Sequence, residues 1–172
     1  MPDSIADAEF VEQFDQESDR GAALICAALL DEQLRSLIAA FLIEDESEVE
    51  ELLGSESKLE RPLSHFSARI RAAYCLGLIS EDERHDLTLI RRIRNDFAHD
   101  LDSSSFTKRE IADRCRSFRL AKERQERLAA FAPVPARQRF LLIASLISIS
   151  LKHRPATIEI ERRRVRAELD SY

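Results

Sequence analysis

The run DRGAALICAALLDEQLRSLIAAFLI, residues 19–43, limits this chain more than any other stretch. It holds no proline, and Leu24, Leu30, Leu34, Leu37, Ile38, Phe41 and Leu42 recur at the three-and-four spacing of a helix. A helix this long and this apolar is the expected centre of a bundle, because other helices must cover it. Asp19 is its expected N-cap. Asp31, Glu32 and Arg35 interrupt the oily surface and are expected on its solvated side, since a buried carboxylate would need a cationic partner. Composition points the same way. The 172 residues include 3 Gly and 5 Pro, which favours helix over sheet, and the length allows a core that needs neither disulfide nor metal. The expected fold is all-α: a single-domain multi-helix bundle over residues 1–172, with 17–131 as its core and 132–172 as an apolar helix plus basic tail.

Other helices follow from breakers and caps. A short amphipathic helix is expected over about 4–16, with Phe10, Val11 and Phe14 on its apolar edge. The acidic run EDESEVEELLGSES at 44–57 ends its helix at Gly54. Pro62 restarts the chain, Ser64 is the expected N-cap of a helix through Phe66, Ile70, Ala73, Tyr74 and Leu76, and Gly77 is its stop. Ser80 with Glu83 forms a capping-box pattern for the next helix. Residues 107–131 read as a basic amphipathic helix or helix pair with Ile111, Cys115, Phe118 and Leu128 buried. After PVPARQRF, the run LLIASLISISL is apolar on nearly every side, as a fully buried helix or a dimer seam would be.

Three cysteines, Cys26, Cys75 and Cys115, are widely spaced and lie outside any CxxC or Cys/His cluster, as reduced, buried thiols of a cytoplasmic protein would be. The acidic start MPDSIADAEF is unlike a signal peptide, and FLLIASLISISL at 140–151 is too short to span a bilayer, so no membrane association is expected. No cofactor is implied and no metal-ligand spacing is present. The net charge of −6 hides a strong asymmetry. Residues 1–60 carry 17 acidic and 3 basic side chains, and residues 61–172 carry 15 and 23. The two halves are expected to pair within the fold or across a dimer, with phosphate binding by the basic half as the sharper alternative.

The densest chemistry is IRRIRNDFAHD, residues 90–100. On a helical wheel Ile90, Ile93, Phe97 and Leu101 share one face, with Arg94 at the edge of that apolar arc and Asn95 and His99 together on the far side. Arg91, Arg94, Asn95, Asp96, Phe97 and His99 form the candidate interaction and structural motif. Arginine cannot shed its charge, so Arg94 is expected to fork onto a carboxylate of another helix or subunit. Candidate nucleic-acid contacts are Arg114, Arg119 and Lys122 on the basic helix and Arg162, Arg163 and Arg164 in ERRRVR. No helix-turn-helix with an evident recognition helix, GxxxxGK[ST] or GxSxG is present.

The blocks PLSHFSARIRAAYCLGLI and LIRRIRNDFAHD, with DRGAALICAALLDEQL before them and SFTKREIADRC after, resemble the mannitol operon repressor family of bacterial regulators over residues 17–116. That resemblance implies an all-helical cytoplasmic protein tied to transcriptional control, and supplies no catalytic residue. A local resemblance concerns Arg94, Asn95 and His99, which match the R-x4-H pattern of the HEPN ribonucleases, small helical bundles that work as dimers and cleave RNA without metal. Three expectations follow: a transcriptional regulator working as a helical interaction module through a protein partner, a direct DNA-binding repressor, and a metal-independent endoribonuclease using Arg94, Asn95 and His99. On one straight helix Arg94 and His99 stand roughly 140° apart, which weighs against the third.

Overall fold

The computed structural model describes Phe14 and residues 17–54, 61–99, 105–120, 122 and 134–164, in which every regular element is helical. The order is α1 (Asp19–Phe41), α2 (Glu46–Leu53), α3 (Phe66–Cys75), α4 (Glu81–His99), α5 (Arg109–Arg116) and α6 (Ala136–Ile158), followed by a 3-10 turn at Glu159–Glu161. The all-α bundle is therefore as the sequence predicts. The expected helix over 4–16 lies outside the described residues except for Phe14, which is buried in the core.

Helix α1 is the axis. It packs most extensively against α6, then against α4 and α3. Its buried positions are small in the first turns, with Ala22, Ala23, Cys26 and Ala27, and large later, with Leu30, Leu34, Leu37, Ile38 and Phe41. Small side chains let neighbouring backbones approach closely, and larger ones need more room between the packed elements. The partner helix α6 buries Phe140, Leu141, Ile143, Ala144, Ile147 and Leu151, so the apolar run in 140–151 is covered within the chain. Phe106 bridges the layers, its ring 5.1 Å from Phe97 of α4 and 5.1 Å from Phe140 of α6. Pro155 lies in the last turn of α6, where it removes one N–H from the ladder, and the helix runs on to Ile158.

Several helix ends differ from expectation in an instructive way. Ser18, not Asp19, caps α1 by accepting the Gly21 N–H at 3.0 Å. Asp19 instead reaches across the fold: its carboxylate accepts from the Phe106 N–H at 2.9 Å, the Ser105 hydroxyl at 3.0 Å and Arg137 Nη1 at 2.7 Å. Ser64 does not cap α3. It folds back on the Arg61 carbonyl at 2.9 Å, leaving His65 at the N-cap with no side-chain bond to the helix. The end of α3 follows the pattern, with Gly77 at φ 74° and two closing bonds, Gly77 N–H to Tyr74 O at 3.0 Å and Leu78 N–H to Ala73 O at 2.8 Å. The capping box opening α4 is also present: the Ser80 N–H donates to Glu83 at 2.7 Å and the Glu83 N–H to Ser80 Oγ at 3.2 Å.

Charge pairs fasten these elements. Arg69 of α3 is 7% exposed, and its guanidinium donates to Asp31 Oδ1 of α1 at 2.9 Å, to the Leu63 carbonyl at 2.9 Å and to the Leu53 carbonyl at 3.1 Å. Asp31 is thus drawn into the structure by a cation rather than left on the solvated side, while Glu32 stays exposed and Arg35 donates to the Gly54 carbonyl at 3.1 Å. Asp86, fully buried on α4, accepts from the Arg119 N–H at 2.9 Å and the Leu120 N–H at 2.9 Å. Those bonds hold the chain just after α5 out of helical geometry, so the helix expected over 107–131 ends at Arg116; Ile111, Cys115 and Phe118 are buried, and Leu128 lies outside the described residues. Glu83 completes the set, receiving Arg154 Nη2 of α6 at 2.7 Å and Nη1 at 3.1 Å. The expected pairing of the acidic and basic halves is visible in Asp19–Arg137, Asp31–Arg69, Glu51–Arg61 and Glu44–Arg162.

Arg69→Ala leaves Asp31 and two carbonyls without their donor and should destabilise the fold by about 3–5 kcal/mol, read from urea unfolding. Melting at the wild-type midpoint would show that the pair contributes nothing. Burial pushes the Glu83 pKa up, but the bonds from Arg154 and Ser80 outweigh it and hold the carboxyl below its ordinary value. A lowered carboxylate contributes stability that is complete above the unfolded pKa and lost as pH falls through the folded one. Between about pH 5 and pH 3, Glu83→Gln should therefore lose less stability than the wild type. Parallel curves would exclude Glu83 from the acid response.

Candidate functional site

The motif 90–100 divides between core and surface. Phe97 and Ile93 are fully buried, and Asp96 forms an ion pair with Arg114 of α5. These residues hold α4 in place. Arg91, Arg94 and Asn95 face a cleft of about 440 Å³ between α1, α4 and the start of α3. Ala27 and Ala28 supply part of its apolar lining, with Asp31 beside them on α1. Ser64, His65, Phe66 and Ser67 line the opposite side.

Helix geometry explains why Arg94 is here. Leu87, seven residues earlier and so nearly in line along α4, is fully buried. Two turns later that same flank opens onto the cleft, and Arg94 is exposed. A wheel read from sequence assigns one environment to a whole stripe, whereas the packing changes along it. The expected Arg94–carboxylate fork is therefore absent among the described residues. Arg94 Nη1 donates to Asn95 Oδ1 at 3.1 Å, and the buried arginine forking onto a carboxylate is Arg69. Asp31 still senses both cations: burial raises its pKa, against the charge and hydrogen bond of Arg69 and, last, the charge of Arg94.

His99, the last residue of α4, is exposed and does not line the cleft. The helix runs regularly through it, so Arg94 and Asn95 share a site that His99 does not join within one chain. The sequence reading missed His65, Phe66 and Ser67 as cleft residues. Their signal was the uncapped start of α3, which only the outward turn of Ser64 reveals.

The candidate nucleic-acid contacts are largely engaged. Arg114 pairs with Asp96, Arg119 lies 3.4 Å from Glu81 and 3.6 Å from Asp82, and Arg162 lies 4.0 Å from Glu44. The Arg163 N–H donates to the Phe41 carbonyl at 2.9 Å while its guanidinium covers the Phe41 ring at 4.9 Å. Lys122 and Arg164 are exposed. Cys26 and Cys115 are buried as expected, with thiol pKa values pushed up to about 12 by desolvation, so neither is a reactive thiolate, whereas Cys75, in the last turn of α3, is exposed rather than buried. Among the described residues no His, Cys, Asp or Glu cluster could hold a metal ion, and no helix is long and apolar enough to cross a membrane.

Comparison with known proteins extends the geometry. A solved chain described as the X-ray structure of the MtlR-HPr complex from Escherichia coli superposes with a TM-score of 0.63 at 19% identity, covering 86% of this chain and 99% of that one. At that identity the likeness shows a shared fold. No curated protein matches. The family model for MtlR, the mannitol repressor, matches residues 6–151, nearly the whole bundle from before α1 into α6. The chain therefore belongs to the mannitol repressor family.

Proposed function

We propose that this protein is a transcriptional regulator of the mannitol repressor type that works as a helical interaction module, through a protein partner rather than by reading operator bases itself. Support comes from the fate of its basic side chains. Direct readout needs a helix that presents Arg, Asn or Gln to base edges beside free phosphate contacts. On α5, Arg114 and Arg116 are held by Asp96 and Asp113, and beyond it Arg119 faces Glu81 and Asp82. The basic segment 162–164 is anchored against the end of α1 through Arg163. A polyanion would have to displace these carboxylates. The structural neighbour was solved with HPr, and an HPr protein is the partner we assign to this chain by analogy. Exposed apolar side chains, Ile25 and Leu29 on α1 and Tyr74 and Leu76 at the end of α3, give a protein partner surface to cover.

The test is calorimetric titration with HPr from the same host, beside a gel shift with mannitol operator DNA at low and moderate salt. Saturable HPr binding with no DNA shift supports the reading. A DNA shift by the protein alone that weakens by about 10³-fold or more between low and moderate salt would replace it with direct repression, because released counterions make such binding steeply salt-dependent.

The ribonuclease alternative has a separate expected outcome. His99 lies away from the cleft that Arg94 and Asn95 line, so metal-free incubation with structured and single-stranded RNA should leave both intact. Cleavage that disappears in folded His99→Ala and folded Arg94→Ala variants would make the protein a nuclease acting across a dimer.

A further inference from the structure

The cleft between α1, α3 and α4 has no role in the partner reading, yet its chemistry is specific. Two guanidiniums, Arg91 and Arg94, line it from one flank of α4. Among the described residues neither has a carboxylate partner; Arg94 donates to the neutral amide oxygen of Asn95. Arg61, Arg69, Arg114, Arg137 and Arg154, by contrast, each hold a carboxylate. The one carboxylate lining the cleft, Asp31, is already neutralised by Arg69. The remaining ionisable side chain of the lining is His65.

Geometry adds to the charge. α3 opens at His65 without a side-chain cap, so the first-turn N–H groups at Phe66 and Ser67 have no capping acceptor, and both residues line the cleft. A helix start of this kind favours negative charge, and beside two arginines it completes an anion cradle. The cleft is also larger than an inorganic ion needs. Its volume of about 440 Å³ lies in the range of small-molecule sites, and Ala27, Ala28 and the Phe66 ring offer apolar lining while Ser67 and the Asn95 amide offer hydroxyl partners.

We infer that this cleft binds a small hydroxylated phosphomonoester, with the phosphate held by Arg91, Arg94 and the start of α3, and the carbon chain lying over Ala27, Ala28 and Phe66. Asn95 positions Arg94 through its amide oxygen and keeps its N–H donors for the ligand. The site is independent of HPr: loss of HPr binding would leave it standing, and its failure would leave the partner reading intact.

The test is titration of the full chain, by calorimetry and thermal shift, with a hexose 6-phosphate, the free hexose, inorganic phosphate and a short single-stranded RNA. The hexose phosphate should bind at least about tenfold more tightly than the free hexose. Arg91→Gln and Arg94→Gln should each weaken it by about tenfold or more while leaving the circular dichroism spectrum unchanged, since neither side chain is part of a described ion pair. Asn95→Asp, which puts a carboxylate into the cradle, should weaken it as well. The proposal is overturned by absence of binding to the sugar phosphate, by binding that survives in the arginine variants, by affinity for inorganic phosphate alone, or by affinity for RNA alone.

Discussion

The guanidinium of Arg69 is the contact on which the arrangement of this bundle turns. Three donors of one side chain hold Asp31 of α1, the carbonyl that ends α2 and the carbonyl that precedes α3. An ion pair removed from water gains little net stability by itself, since desolvation offsets much of the attraction. Its worth here is positional. Apolar packing alone would allow a short helix such as α3 to slide or rotate against α1, whereas three directed bonds admit one placement. That placement sets the uncapped start of α3 opposite Arg91 and Arg94 and so forms the cleft.

The same device recurs. Asp19, Glu83 and Asp86 are each at least partly withdrawn from solvent, and each binds groups distant in sequence: Arg137 and Phe106, Arg154, and the Arg119 and Leu120 amides. Each carboxylate ties a loop or a late helix to one formed earlier in the chain. The acidic N-terminal third and the basic remainder are thus, in good part, two sides of one set of internal fastenings. This is why a charge count that suggests a polyanion-binding half overstates the basic surface actually offered.

The helices themselves were legible because period and punctuation act locally. The apolar stripe of α1, the capping box at Ser80 and Glu83, and the glycine stop at Gly77 need only neighbours within a turn. The helix expected over 107–131 stops at Arg116, where Asp86 claims the Arg119 and Leu120 amides, and the other errors concern polar residues with two competing partners. Asp19 and Ser18 could each have capped α1, and the choice went to Ser18 because Arg137 and Phe106, far along the chain, claim Asp19. Arg94 and Arg69 both sit beside apolar positions, and only the tertiary packing decides which is buried. The candidate site was half readable: Arg91, Arg94 and Asn95 stand out in sequence, but His65, Phe66 and Ser67 join them only after α3 is docked.

The pairing of α1 with α6 has a consequence for how the chain acquires its structure. The most apolar helices are also nearly the most distant, and the hydrogen bond from Gln33 to Ser148 spans 115 residues. Closing so long a loop is entropically unfavourable, and folding slows as such contacts come to dominate. A chain emerging from the ribosome therefore carries α1 with its Leu30–Phe41 face uncovered until α6 has been made. During that interval α3 and α4 are the covers available, and the Asp31–Arg69 link can form early enough to shield part of α1. Association between nascent chains along this face would compete with that early docking.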